Sequence, residues 1–228
     1  MTNARASKIR LVLFDVDGVL TDGKVVMHAD GSESKVFDIK DGTAIVWAQR
    51  VGLTVGFLSA RMSAATTQRA AQLGVTLLHQ GVASKLETYE QITDGLLLDD
   101  EQVAYMGDDI LDLPVLSRVG LAAAPHDAVE DVRARVHWVS RADGGNGAAR
   151  ELIELILRAQ DRWASIVATY IAEVEGQQPS AGTRRCSPRS LRSSPASRSA
   201  RRGSGTSCAT ANGSIAGGRA SRRTTSSG

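Results

Sequence analysis

No cysteine occurs between Met1 and Gly176; Cys186 and Cys208 both lie beyond that stretch. The first 176 residues therefore cannot contain a disulfide, and a reducing, cytoplasmic address is expected. No apolar run approaches the roughly 18 residues that a membrane-spanning helix needs, so no membrane partner is expected. The opening Met1–Lys8 is polar, with no apolar stretch before a small-residue cleavage site, and no secretory signal is expected from it. The segment 177–228 lacks Asp, Glu, lysine and aromatic residues altogether, yet holds ten arginines and three prolines. Such a composition cannot bury enough apolar area to offset its ordering entropy, and disorder is expected there.

That one-sided charge distorts the whole-chain balance. The 228 residues carry a formal +2, but residues 1–176 hold 17 basic against 25 acidic side chains, a net of −8. The sequence thus divides into an acidic globular body, 1–176, and an Arg/Ser-rich tail, 177–228. Ten tail cations would bind phosphate backbones non-specifically, but no interleaved aromatic residue favours base stacking, and no specific nucleic-acid partner is expected. The tail reads as an unselected extension, like the shifted translation of a GC-rich message.

Within the body, Ile9–Phe14, Leu53–Leu58, Val75–Leu78 and Val103–Met106 are short continuous apolar runs, the pattern of strands buried on both faces. Weaker runs follow at Gly120–Ala123 and His137–Val139. Between them Gly42–Val51, Ser63–Leu73, Lys85–Leu97 and Ile110–Arg118 have helical spacing. The alternation predicts an α/β fold with a doubly wound, Rossmann-like parallel sheet. Lys24–Met27 and Ser34–Ile39 flank Asp30-Gly31 and predict a projecting β-hairpin. Ala148–Tyr170, preceded by Gly144-Gly145-Asn146-Gly147, reads as one long helix with a wide apolar stripe. Trp47 and Trp163 lie among apolar neighbours at helical spacing, as packing or subunit-interface residues would.

The chemistry concentrates where predicted strands end. Asp15-Val16-Asp17-Gly18 follows the first strand, placing two carboxylates at the carboxyl edge where α/β sheets bind ligands. One can attack as a nucleophile while the other exchanges a proton with a leaving group. Gly107-Asp108-Asp109-Ile110-Leu111-Asp112 follows Val103–Met106 and supplies further carboxylates, though Asp109 or Asp112 would also serve as a helix cap. Close carboxylates repel, and a hard cation such as Mg²⁺ relieves that repulsion. Ser59 and Arg61 end the second strand, and Lys85 opens a helix, where a hydroxyl, backbone amides and an ammonium suit a phosphate. His28, His79, His126 and His137 show no metal-ligand spacing.

The ordered set DxDG, Ser, Lys and GDDxxD resembles the haloacid dehalogenase superfamily of aspartyl-phosphate phosphatases from Ile9 to about Tyr170. Only the hairpin separates the first two motifs, with no large cap domain. That resembles the capless branch that includes the 3-deoxy-D-manno-octulosonate 8-phosphate (Kdo 8-phosphate) phosphatases. Phe37–Gly42, Gln80-Gly81, Lys85-Leu86 and Gly144–Glu151 match that branch's local patterns. The resemblance implies Asp15 as nucleophile, Asp17 as acid and base, and Asp15, Asp17 and Asp108 as Mg²⁺ ligands. It further implies Ser59 and Lys85 at the phosphate, Asp109 and Asp112 behind the metal, and Asp38, Gly42, Arg61 and Arg69 on the sugar-acid side. It also implies a homotetramer with hairpins meeting at its centre.

Three positions depart from the branch. Ser59-Ala60 stands where Thr-Gly is usual, keeping the hydroxyl. Val46 and Asn146 stand where the best-known relatives carry arginine, which changes how a 2-keto acid carboxylate is held. A nonulosonate 9-phosphate is the alternative substrate. A non-catalytic scaffold is the rival class, opposed by the retention of mutually repelling carboxylates.

Overall fold

The computed structural model describes residues 1–176 of the chain, so the disorder expected of 177–228, with Cys186 and Cys208, lies outside the described residues. In chain order the elements are α1 (Thr2–Ala6), β1 (Leu11–Phe14), the hairpin strands β2 (Val26–Met27) and β3 (Glu33–Ser34), α2 (Ile39–Arg50), β4 (Thr54–Ser59), α3 (Ala64–Leu73) and β5 (Leu77–Gln80). There follow α4 (Lys85–Leu96), β6 (Val103–Met106), α5 (Leu113–Leu116), β7 (Leu121–Ala124), α6 (Glu130–Arg133), β8 (Trp138–Val139), α7 (Ala148–Ala159) and α8 (Trp163–Gly176).

Among the described residues one parallel sheet runs β5-β4-β1-β6-β7-β8, and β2 pairs antiparallel with β3. No domain-sized insertion interrupts the described residues; the hairpin is all that stands between β1 and α2. Every residue of β1, β6 and β7 is buried, which is why these runs read as unbroken apolar stretches. Val12 and Phe14 face Ile45, Leu152 and Ile156, whereas Leu11 and Leu13 face Tyr89, Leu116 and Val132. Each such fully buried side chain contributes about 1.5–3 kcal/mol. Ser63 and Ser84 cap α3 and α4 by accepting from the amides of Thr66 and Glu87.

Several expected boundaries moved. The return limb of the hairpin, expected over Ser34–Ile39, pairs only through Glu33–Ser34. Asp38 diverts the chain by accepting from the amides of Lys40 and Asp41, so α2 starts at Ile39 rather than Gly42. The expected Ile110–Arg118 helix is a 3₁₀ turn, Ile110–Asp112, followed by the short α5, with Pro114 in its first turn. The long helix expected over Ala148–Tyr170 is two. Asp161 adopts φ +56°, the Arg162 amide donates to Leu157 and the Asp161 amide to Arg158, the paired bonds of a Schellman end. Gln160 then donates to the carbonyls of Ile9 and Ala6, and Trp163 meets Trp47 edge to face at 5.6 Å. These tertiary bonds end the helix where no glycine or proline marks a stop.

Candidate active site

Strand order reverses about β1, whose neighbours β4 and β6 lead to opposite edges of the sheet. Ligands enter α/β sheets at the carboxyl side of such a switch point. There a cavity of about 210 Å³ is lined by Asp15, Asp17, Ser59, Arg61, Lys85, Asp108, Asp109 and Asp112. Four separate stretches of chain thus converge on it.

The turn after β1 is built tightly. Asp15 completes the ladder by donating its amide to the Met106 carbonyl, and the amides of Leu20 and Thr21 converge on the Val16 carbonyl. Gly18 has φ +90°, and a Cβ there would sit 2.0 Å from Asp108 Oδ2. No side chain fits, so the two acidic loops pack backbone against carboxylate. Gly144 buttresses the turn from behind, where a Cβ would lie 1.8 Å from the Gly18 carbonyl oxygen. The glycine-rich segment before α7 is therefore a backing for the acidic turn as well as a helix start.

Asp112, fully buried, organises the floor. Its Oδ1 accepts from Lys85 Nζ and from the Tyr105 hydroxyl, each at 2.6 Å, and its Oδ2 accepts from the amides of Asp108 (3.0 Å) and Asp109 (3.2 Å). Lys85 Nζ also lies 3.0 Å from Asp15 Oδ2. Asp109 is exposed and spends a carboxylate oxygen on the Ile110 amide at 2.7 Å. Ser59 is buried, its Oγ accepting from the Arg61 amide at 3.2 Å.

Burial, and then the neighbouring Asp112, push Asp15 up to about 7. Burial, with Asp15 and Asp112, pushes Asp108 up to about 8. Burial opposes the charge on Lys85, but Asp15 and Asp112 outweigh it and hold the ammonium above its ordinary value. Carboxylate oxygens of Asp15, Asp108 and Asp112 lie within 4.8 Å of one another. Since Asp112 already accepts from four donors, Asp15 and Asp108 are the pair open to a cation. Asp108 Oδ1 is buried without a hydrogen-bond partner. An orphaned oxygen in an all-oxygen set fits a hard divalent ion.

These shifts carry a sign for metal-free protein. Both folded-state carboxyls sit above the unfolded value, so the folded chain binds more protons than the unfolded one between about pH 4 and 8, and stability falls as pH rises. Lys85 is charged in both states across that window and adds no slope. Thermal melts in EDTA should therefore show a Tm that declines from pH 5 to pH 8, and a Tm rising through that range would contradict the shifts.

Asp38, Gly42 and Arg69 come together, but outside this cavity. Asp38 caps α2, its carbonyl accepts from Arg69 at 3.0 Å, and a Cβ on Gly42 would strike the Arg69 guanidinium. Arg61 lines the cavity and pairs with Glu33 at 2.8 Å. The described histidines stay apart: His28 bonds Ser34, His137 accepts from the Ala122 amide, and His126 faces Asp143. Two site residues escaped the sequence reading. Tyr105 looked like one more apolar residue in a strand. Lys35, inside a β-prone run, left as its one signal a lysine among Val36, Phe37 and Ile39.

Residues 58–152 match the haloacid dehalogenase-like hydrolase family model. The 3-deoxy-D-manno-octulosonate 8-phosphate phosphatase of Yersinia pestis is 42% identical over 158 residues, covering 69% of this chain and 84% of that protein. The chain belongs to the haloacid dehalogenase-like hydrolases. It is a phosphoric monoester hydrolase of that family. The Yersinia pestis crystal structure superposes on this phosphatase with a TM-score of 0.70 at 41% identity, covering 71% of this chain and 87% of that one. The Moraxella catarrhalis enzyme of the same name, solved with a magnesium ion, a phosphate ion and Kdo, gives 0.73 at 33% identity over 74% and 97% of the two chains. The phosphatase has no described helix long and apolar enough to cross a membrane.

Proposed function

We propose that the chain is a Mg²⁺-dependent, cytoplasmic phosphatase of a sugar-acid phosphate, most specifically 3-deoxy-D-manno-octulosonate 8-phosphate, acting through an aspartyl-phosphate. The observation that carries this reading is the convergence of Asp15, Asp17, Ser59, Lys85 and Asp108 on one cavity at the switch point of the sheet. Relatives named for that substrate support the choice of sugar acid. Asp15 attacks phosphorus in line. Asp17 protonates the departing sugar oxygen, then takes a proton from the water that releases phosphate. Ser59 and Lys85 hold the phosphoryl oxygens as charge develops. Asp15, Asp108 and the Asp17 carbonyl would hold Mg²⁺, which when bound supplies charge neutralisation of phosphate and carboxylate. Asp112 keeps Lys85 and the Asp108 loop in place, and Asp109 caps the turn beside them.

Arg61 lies where a sugar acid would leave the cavity. Asp38, Gly42 and Arg69 are assigned to the same substrate in a homotetramer, where a neighbouring subunit completes the wall of each site. Exposed Val26, Met27, Val36 and Ile39 on and beside the hairpin suit such contacts. Val46 and Asn146 place no cation where the branch has arginine, which changes how the substrate carboxylate is held, and a nonulosonate 9-phosphate is the second reading.

Phosphate release from both sugar-acid phosphates, with Mg²⁺ and with EDTA, tests the assignment. We assign all activity to residues 1–176, so the assay uses both the full chain and one ending at Gly176. Turnover should require Mg²⁺, favour the eight-carbon ester in kcat/KM and be equal for the two chain lengths. Activity undiminished by EDTA, or no release from either ester, would overturn the reading; a truncated chain without activity would overturn the assignment to 1–176.

A further inference from the structure

The hairpin reaches into the chemistry as well as projecting from it. Lys35, the residue after β3, has a wholly buried side chain, and its Nζ lies 2.7 Å from Asp17 Oδ1 and 3.0 Å from Oδ2. Glu33 on β3 places Oε1 3.8 Å from the same ammonium, while its Oε2 holds Arg61 at 2.8 Å. A charged chain, Arg61–Glu33–Lys35–Asp17, thus runs along the base of the hairpin to the cavity rim. A lysine stem is flexible enough to keep its charge in water, and most do. Here the ammonium is covered and committed to one carboxylate. Along this limb Ser34 and Val36 are exposed while Glu33, Lys35 and Phe37 turn inward, so the strand's alternation aims Lys35 at the β1 turn.

We propose that Lys35 is the positioning residue of Asp17, holding its carboxyl in the one orientation that serves the leaving oxygen. This rests on Asp17 being the acid–base group of the proposed function. An ammonium that donates to one oxygen of Asp17 and lies 2.7 Å from the other opposes the rotation that a side chain on a turn would otherwise sample. Proton transfer depends on heavy-atom geometry within a few tenths of an ångström, so a fixed orientation is worth rate. In the step concerned, an Asp15 oxygen bonds to phosphorus as the phosphorus–ester oxygen bond breaks. The electron pair leaves on that oxygen, which takes its proton from Asp17; Lys35 keeps all of its own.

The test is a series of phenyl phosphates with leaving groups from p-nitrophenol to phenol, together with Kdo 8-phosphate, read as kcat/KM for wild type, Lys35→Met, Lys35→Gln and Lys35→Arg. Good leaving groups need little protonation and poor ones need it fully. Loss in Lys35→Met and Lys35→Gln should grow from ~3-fold or less for the p-nitrophenyl ester to ~100-fold or more for the poorest leaving groups, the scale of a positioned acid. Lys35→Arg should restore most of the wild-type slope. A parallel loss across the series would mark a structural role and overturn the proposal. So would a loss confined to the sugar-acid ester, which would mark a substrate contact. A wild type that hydrolyses none of these esters would instead sink the phosphatase reading itself, so the two failures are distinguishable.

Discussion

Asp15→Asn should lose phosphatase turnover by at least about 10⁴-fold while folding normally, since removing a covalent nucleophile costs an enzyme of this kind several orders of magnitude. The substitution keeps size and shape in a residue that is 8% exposed and hemmed in by Asp108 and Asp112. It also removes a carboxylate that burial and Asp112 disfavour in its charged form. Metal-free Asp15→Asn should therefore melt no lower than wild type at pH 8. Lys85 keeps its partner in Asp112, so no new unpaired charge is created. Steady-state phosphate release and a thermal melt on the same sample check both halves. Activity within tenfold of wild type would remove Asp15 from the role of nucleophile.

Asp112→Ala should fail in the opposite way. Asp112 never needs to touch the substrate, yet its carboxylate is the acceptor for Lys85, Tyr105 and two backbone amides. Truncating it leaves a buried ammonium with Asp15 alone, a hydroxyl with no acceptor and a turn with no anchor. Breaking a buried ion pair by removing one partner costs roughly 3–5 kcal/mol. Denaturant unfolding should show a loss of that order, and turnover should fall as well, since Asp108 and Lys85 are no longer held. Asp112→Asn, which keeps an acceptor and can still receive from the amides, should recover part of the stability but not the charge on which Lys85 depends. A stable, inactive Asp112→Ala would mean that the residue acts directly in the chemistry and that its four bonds contribute little.

The contrast between these two aspartates bears on what can be read from a sequence. Asp15 was legible because it follows a buried strand and belongs to a spaced motif whose chemistry needs a carboxylate there. Asp112 was legible as a residue of the second acidic cluster, but not as the hub. Its burial and its four donors come from β6, α4 and its own loop, and local pattern carries no information on which of several nearby acids turns inward. Asp109, three positions earlier, turns outward and caps the 3₁₀ turn. Lys35 was missed for a related reason. A lysine in an extended, amphipathic run is normally solvated, and only the fold of the hairpin back over the β1 turn places it on Asp17.

Boundaries followed the same division. Val103–Met106 was read to the residue because a strand buried on both faces lacks charged residues and is bounded here by Gln102 before it and Gly107-Asp108 after it. The break at Gln160–Arg162 was invisible because no glycine or proline marks it: Asp161 takes the left-handed conformation that closes α7, and Gln160 reaches the Ala6 and Ile9 carbonyls from far along the chain. Asp38, Gly42 and Arg69 meet one another outside the cavity, whereas Arg61 lines it, a division that depends on how α2 packs on α3.

By itself the sequence determined the parallel α/β architecture, the three motif-bearing strand ends and the helix start at Lys85, because hydrophobic period and strand-end spacing are local properties. The tertiary structure decided which carboxylate is spent on structure, which is left open to a cation, and which lysine reaches which acid. Those outcomes depend on burial and on distances of about 3 Å between residues far apart in the chain, and no local pattern encodes them.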